Sequence, residues 1–267
     1  DHARRRRGDD ALDAIAGQTL AVAAVRKAVQ LAEARAARAP AFAPPATFYF
    51  YGAPGSGKTR LAEAAAERLG YPLHRLAMES YATVEDANAL FGAPPGLQQG
   101  VCLVDLLLEN PRAVVVFDEV EKAHESLFRE KLHSALSAGS MAHKRDRTRV
   151  APLSETFFFF TSNCFEDAVV EAHRHRGDDA AALRRDLEAS INDAPRLPCS
   201  AQRRSPFEDA SLRSRLGKAR QWPFAPLNRQ DLAKAVDGAL EAAAKRHNLG
   251  ELAWSPDLSD AYAASHA

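Results

Sequence analysis

Eight residues, Gly52-Ala53-Pro54-Gly55-Ser56-Gly57-Lys58-Thr59, place turn glycines directly before an ammonium and a hydroxyl. They match G-x-x-x-x-G-K-[ST] at every fixed position. Gly55 and Gly57 let the backbone curl without Cβ clashes, so consecutive N–H groups can point at phosphate oxygens. A helix starting after them adds the partial positive charge of its N-terminus. Lys58 can then reach β- and γ-phosphates, and Thr59 can hold Mg²⁺ through its hydroxyl. Two carboxylates, Asp118 and Glu119, follow the apolar run Ala113-Val114-Val115-Val116-Phe117. Asp118 can hold Mg²⁺ directly or through water, and Glu119 can orient and deprotonate a water attacking the γ-phosphate. Asn163 ends a second apolar run, Phe157 to Phe160 followed by Thr161-Ser162. Its neutral amide can hydrogen-bond the γ-phosphate and the water. The set points to chemistry on a β–γ phosphoanhydride with Mg²⁺.

Elements must bring these pieces together. Thr47-Phe48-Tyr49-Phe50-Tyr51 is aromatic and β-prone, and Lys58 to Leu69 has helical spacing of Leu61, Ala62, Ala65 and Leu69. Leu73 to Met78 reads as a second strand. The Ala113–Phe117 and Phe157–Phe160 runs lack alternation, which suits strands buried on both faces of a parallel sheet. Carboxylates at the C-terminal end of such a strand lie where open α/β sheets bind ligands. Helices are expected at Val101 to Glu109, Lys122 to Ala138 and Leu227 to His247. Another, capped by Thr19, presents Val22, Val25, Val29 and Ala32. Glu166 to Glu208 reads as one or two helices and a loop. Strand–helix alternation around the loop predicts an α/β P-loop fold, a parallel sheet flanked by helices, and Leu227 to His247 reads as the first helix of a small C-terminal helical unit.

The chain has 267 residues, 46% of them hydrophobic, enough for a core, and its formal net charge of zero argues against binding nucleic acid by bulk charge. The three cysteines, Cys102, Cys164 and Cys199, form no C-x-x-C pair and read as free thiols of a reducing intracellular compartment. His173-Arg174-His175-Arg176 reads as a solvated segment rather than a metal tract, and the basic stretch His143 to Arg149 as a solvated loop. There is no membrane-spanning apolar run and no visible signal peptide. Arg4 to Arg7 suggest a frayed, charged leader.

Beyond the P-loop, several blocks carry a family likeness. Leu90-Phe91-Gly92-Ala93-Pro94-Pro95-Gly96, Phe117-Asp118-Glu119-Val120-Glu121-Lys122-Ala123-His124, Thr161-Ser162-Asn163, Phe224-Ala225-Pro226-Leu227 and Gly17-Gln18 occur in order along the chain. Together they resemble AAA+ ATPases of the Clp-type unfoldase and disaggregase group. The resemblance implies ATP hydrolysis in a ring, a hexamer by family, acting on a protein client. It implies adenine contacts near Ile15 and Ala16, and an arginine finger in Ser211-Leu212-Arg213-Ser214-Arg215-Leu216, with Arg215 favoured and Arg213 second. It implies a leader over 1–14, an ATPase domain over 15–223 and a partial lid over 224–267.

The departures define the alternatives. Leu97-Gln98-Gln99-Gly100 stands where the family has an aromatic pore loop. Ala77-Met78-Glu79-Ser80-Tyr81 replaces Asp-Met-Ser-Glu-Tyr, and the second sensor arginine has no counterpart. An ATP-binding scaffold with little turnover and no threading is therefore the rival reading. A nucleic-acid-handling relative, supported by His143 to Arg149, is the third.

Overall fold

Each long apolar run becomes a strand whose side chains alternate between two cores. The computed structural model describes residues 11–35, 42–92, 102–177, 179, 181–185 and 221–247. Its elements in chain order are α1 (Thr19–Arg35), β1 (Ala46–Gly52), α2 (Lys58–Leu69), β2 (Leu73–Ala77), α3 (Val84–Ala89), α4 (Leu103–Glu109), β3 (Val114–Asp118), α5 (His133–Ala138), β4 (Ser140–Ala142), β5 (Val150–Pro152), β6 (Phe157–Ser162), α6 (Glu166–Arg176), β7 (Gln221–Phe224) and α7 (Arg229–Arg246). Five strands form one sheet in the order β2-β3-β6-β1-β7. Every pairing in it is parallel.

On one face Phe48, Phe50, Val114, Val116, Phe157 and Phe159 pack with Leu61, Ala62 and Ala65 of α2 and with Val25 and Val29 of α1. On the other, Tyr49, Tyr51, Val115, Phe117, Phe158 and Phe160 pack with Leu103, Leu107, Phe128 and Leu132. Two-sided burial explains why these strands show no polar alternation. Aromatic rings stack across strands, Phe48 on Phe159 with centroids 5.2 Å apart and Phe117 on Phe160 at 4.8 Å. Burying each such side chain contributes about 1.5–3 kcal/mol.

The sheet fixes the site because β1 and β3 are joined through β6. The pairs Phe48↔Phe159 and Val116↔Phe159 put the C-terminal ends of all three side by side. Gly52 closes β1 at φ 122°, where a Cβ would stand 2.5 Å from the Phe224 carbonyl oxygen. Only glycine allows β7 to run this close to the start of the loop.

Several expectations change. Ala11 and Leu12 are buried in the α1–α2 core, so packing begins upstream of the boundary expected at 14. Thr19 is the first residue of α1 rather than its cap, and the turn before it is made by Gly17 and Gln18, both at positive φ. The helix expected over Lys122 to Ala138 is broken into a 3₁₀ turn at Val120–Lys122, a π-helical stretch at Leu127–Leu132 and α5. Leu127, Phe128 and Leu132 are all buried, as their spacing suggests, whereas the local winding is not written in that spacing. Strand β7 has no counterpart in the sequence reading, and it contains Pro223. It lies at the sheet edge, where proline is tolerated, and it crosses the boundary expected at Pro223.

The stretch His143 to Arg149 is the loop of the β4–β5 hairpin, yet His143 itself is buried. Its Nδ1 accepts hydrogen bonds from the backbone N–H groups of Arg145 and Asp146. Cys102, Asp105 and His143 converge within 4.8 Å. Asp105 nevertheless takes its cation from Arg149, at 2.8 Å, and its carboxylate closes the first turn of α4 at Cys102. Cys102 is a free buried thiol, whereas Cys164 is disulfide-bonded, which corrects the free-thiol reading at that position. Among the described residues, no helix is long and apolar enough to cross a membrane.

Candidate nucleotide site

The P-loop joins β1 to α2 as its spacing requires. Gly55 and Gly57 lie at φ 70° and 93°, and Gly57 is the residue before α2. Ser56 Oγ donates to the Ala53 carbonyl at 2.6 Å, which tightens the turn. Lys58 is buried, and its Nζ donates to the carbonyls of Gly52 at 2.9 Å and Ala53 at 2.7 Å. Burial lowers its pKa to about 8, against the opposing pull of the carboxylates Glu121, Glu166, Asp118 and Glu119. A buried cation at a helix N-terminus beside a glycine-rich turn suits an anion such as phosphate.

The carboxylates stand where β3 ends. Asp118 Oδ1 accepts from Thr59 Oγ1 at 3.2 Å and from Thr161 Oγ1 at 2.5 Å. Its other oxygen accepts from Arg75, through Nε at 2.9 Å and through Nη2. Burial pushes the Asp118 carboxyl up, but the Thr161 hydroxyl and the Arg75 guanidinium outweigh it and hold the group below the usual carboxylate range. Thr59 and Asp118 thus offer hard oxygen donors side by side, a set that fits Mg²⁺, which keeps several waters and takes one or two protein oxygens.

Glu119 adopts a left-handed backbone at φ 59°, a conformation that costs a non-glycine residue about 1–2 kcal/mol. Its N–H donates to Thr161 Oγ1 at 3.1 Å, so one hydroxyl positions both acids. Asn163 Nδ2 donates to Glu119 Oε1 at 2.8 Å, and Lys122 Nζ pairs with Glu119 Oε2 at 2.6 Å. The backbone N–H of Asn163 donates to Glu121 Oε1 at 3.1 Å. The other non-glycine residues at positive φ among those described, Gln18 and Phe165, also flank this region.

Beside the loop lies a cleft of about 630 Å³, lined by Ile15, Ala16, Gly17 and Gln18, by Trp222, Pro223 and 225–228, and by α7 residues including Asp231 and Lys234. Gln18 Nε2 donates to the Ala225 carbonyl at 2.8 Å and toward the Ser56 carbonyl at 3.4 Å, tying the cleft's upper wall to the P-loop. Arg184 stacks on Trp222 with 3.6 Å to the ring centroid. A cleft of this size beside a phosphate loop suits a base and ribose.

The structure brings together Gly52 to Thr59, Asp118, Glu119 and Asn163, and lines the adjacent cleft with Ile15 and Ala16. Arg213 and Arg215 lie outside the described residues, as do Leu97 to Gly100. Arg75, Thr161, Lys122 and Gln18 complete the site's hydrogen bonding, and the sequence reading gave none of them a chemical role. Strand register brings Arg75 to Asp118, and register is not written in either segment.

A parallel sheet with this loop, acid pair and strand-end amide defines a P-loop NTPase. The family model "AAA domain (Cdc48 subfamily)" matches residues 43–196, and the chain belongs to that family of ATPases. It is 35% identical over 169 residues to Chaperone protein ClpB 1 of Parasynechococcus marenigrum (strain WH8102), covering 61% of this chain and 19% of the relative. Against Chaperone protein ClpB of Gloeobacter violaceus it is 36% identical over 172 residues, 62% of this chain and 19% of the relative. Against that of Corynebacterium glutamicum it is 37% identical over 155 residues, 56% and 18% respectively. The Clp-type resemblance is borne out, and the chain spans about a fifth of the length of these relatives.

The Lys58 environment has a pH consequence. The ammonium is charged below about 8 and loses its proton above it, whereas a bound phosphate raises its pKa. ADP affinity measured without metal should hold level from pH 7 to about 8. Above that it should weaken, by up to roughly tenfold per pH unit as one proton is taken up on binding. Flat affinity up to pH 9.5 would contradict a phosphate contact by Lys58.

Proposed function

We propose that this chain binds ATP with Mg²⁺ and hydrolyses its β–γ anhydride, as a Clp-like AAA+ module working in a ring on a protein client. The observation that carries the reading is the convergence of Lys58, Thr59, Asp118, Glu119 and Asn163 at the ends of three adjacent strands. The P-loop N–H groups and Lys58 hold the phosphates, and the cleft by Ile15 and Ala16 takes the adenine. Thr59 and Asp118 would hold Mg²⁺, which would neutralise charge developing on the phosphate oxygens. Glu119 orients the attacking water and accepts its proton. Asn163 fixes the Glu119 carboxylate and offers its amide to the γ-phosphate.

Arg215, with Arg213 as the alternative, is the arginine given to the neighbouring subunit's ATP. It neutralises the transferring phosphoryl group there. A ring built this way has a measurable signature. Specific phosphate release should rise with protein concentration, and Arg215→Ala should remove the rise while nucleotide affinity stays unchanged. Specific activity independent of concentration in both proteins would contradict a finger supplied in trans. A soluble-client assay then separates remodelling from idle turnover.

One observation favours the second reading, an ATP-binding scaffold with little turnover. Glu119 Oε2 is engaged by Lys122 at 2.6 Å, and Lys122 also pairs with Glu79 at 3.3 Å. Water activation requires that pair to open.

A further inference from the structure

We infer that Arg75 competes with magnesium for Asp118 and thereby sets the magnesium concentration at which this site loads metal–nucleotide. The inference rests on the reading of Asp118 as a magnesium ligand. A carboxylate offers about four lone-pair positions, and at Asp118 all are engaged within the chain. Thr59 and Thr161 take Oδ1, and two N–H groups of Arg75 take Oδ2. A magnesium ion or its bound water gains Asp118 only by displacing one of these donors. Thr161 is buried inside the sheet and also holds the Glu119 N–H, so it is fixed. Arg75 is the donor that can leave. It sits on β2, an edge strand, and its side chain is 56% exposed against 12% for Asp118.

The register explains why this pair forms here. Ala77 stands opposite Asp118, and Arg75, two residues earlier on the same face, stands opposite Val116. Strand residues on that diagonal lie within reach of a long side chain. Ala77 brings neither bulk nor charge, so nothing on β2 between Arg75 and Asp118 blocks the guanidinium or draws it away.

The test uses a fluorescent ATP analogue and magnesium titration, with Arg75→Ala beside wild type. Arg75→Ala should lower the magnesium midpoint for nucleotide binding by roughly three- to tenfold, the range for a partly exposed charge pair. Nucleotide affinity in excess EDTA should stay within about twofold, a readout that damage to the fold would spoil. A midpoint that is unchanged or raised with EDTA affinity intact overturns the inference and leaves the nucleotide site standing. Nucleotide binding without magnesium dependence in wild type also overturns it. Wild type that binds no nucleotide under either condition overturns both the inference and the proposed function. Arg75→Gln, which keeps length without charge, should reproduce the alanine variant; a wild-type midpoint in it contradicts a role for the guanidinium.

Discussion

Glu119→Gln should leave ATP bound and almost unhydrolysed. The amide keeps the side chain's shape and can still accept from Asn163 Nδ2, which lies 2.8 Å from Glu119 Oε1. It cannot accept a proton from water. Loss of a general base lowers turnover by on the order of 10²–10⁴-fold. Binding should change by no more than about threefold, because ground-state contacts to the phosphates come from the loop, Lys58 and Thr59. Steady-state phosphate release read beside equilibrium ATP binding checks both halves. Turnover at the wild-type rate would remove Glu119 from the chemistry.

Lys58→Ala should instead remove binding. The ammonium sits between the Gly52 and Ala53 carbonyls, and no other lysine lies in the loop. Charge-assisted hydrogen bonds contribute about 1.5–3 kcal/mol each, so losing contacts to two phosphates should weaken ATP by on the order of 10²-fold or more. Lys58→Arg should not rescue it, because a planar fork does not replace a compact ammonium in that cradle. Both variants should stay folded. The loss to the native state is two backbone acceptors left without the Nζ donor, a cost of about 1–3 kcal/mol each at most. Calorimetric titration with ATP, backed by a thermal melt, is the check. Affinity near wild type in Lys58→Ala would contradict the phosphate site.

Much of this site was legible because its parts are local. The P-loop is contiguous, and its glycines appear at the positive φ values their spacing suggests. The runs ending at Asp118 and Asn163 announced strands buried on both faces, and both end at the site. What could not be read depends on contacts between distant segments. Arg75 reaches Asp118 only through the β2–β3 register. Thr161 serves Asp118 and Glu119 across a strand pair. Tertiary packing also decided local form. The Lys122–Ala138 stretch has helical spacing, yet it winds as a π-helix over Leu127–Leu132, a change the spacing does not signal. Pro223 reads against a strand unless the strand is known to be an edge. His143 reads as a surface residue until the hairpin folds it beneath Phe91 and Gly92, where a Cβ on Gly92 would meet its Nε2 at 2.6 Å.

The most direct test of the account is the identity of the nucleotide held by the wild-type chain after long incubation with Mg-ATP. Rapid separation of the protein followed by chromatography of its bound nucleotide gives the answer without a client or a partner. The account predicts ADP on the protein and free phosphate accumulating beyond one equivalent. Intact ATP, bound stoichiometrically with no phosphate above the Glu119→Gln background, would contradict it and leave the chain a nucleotide-holding scaffold.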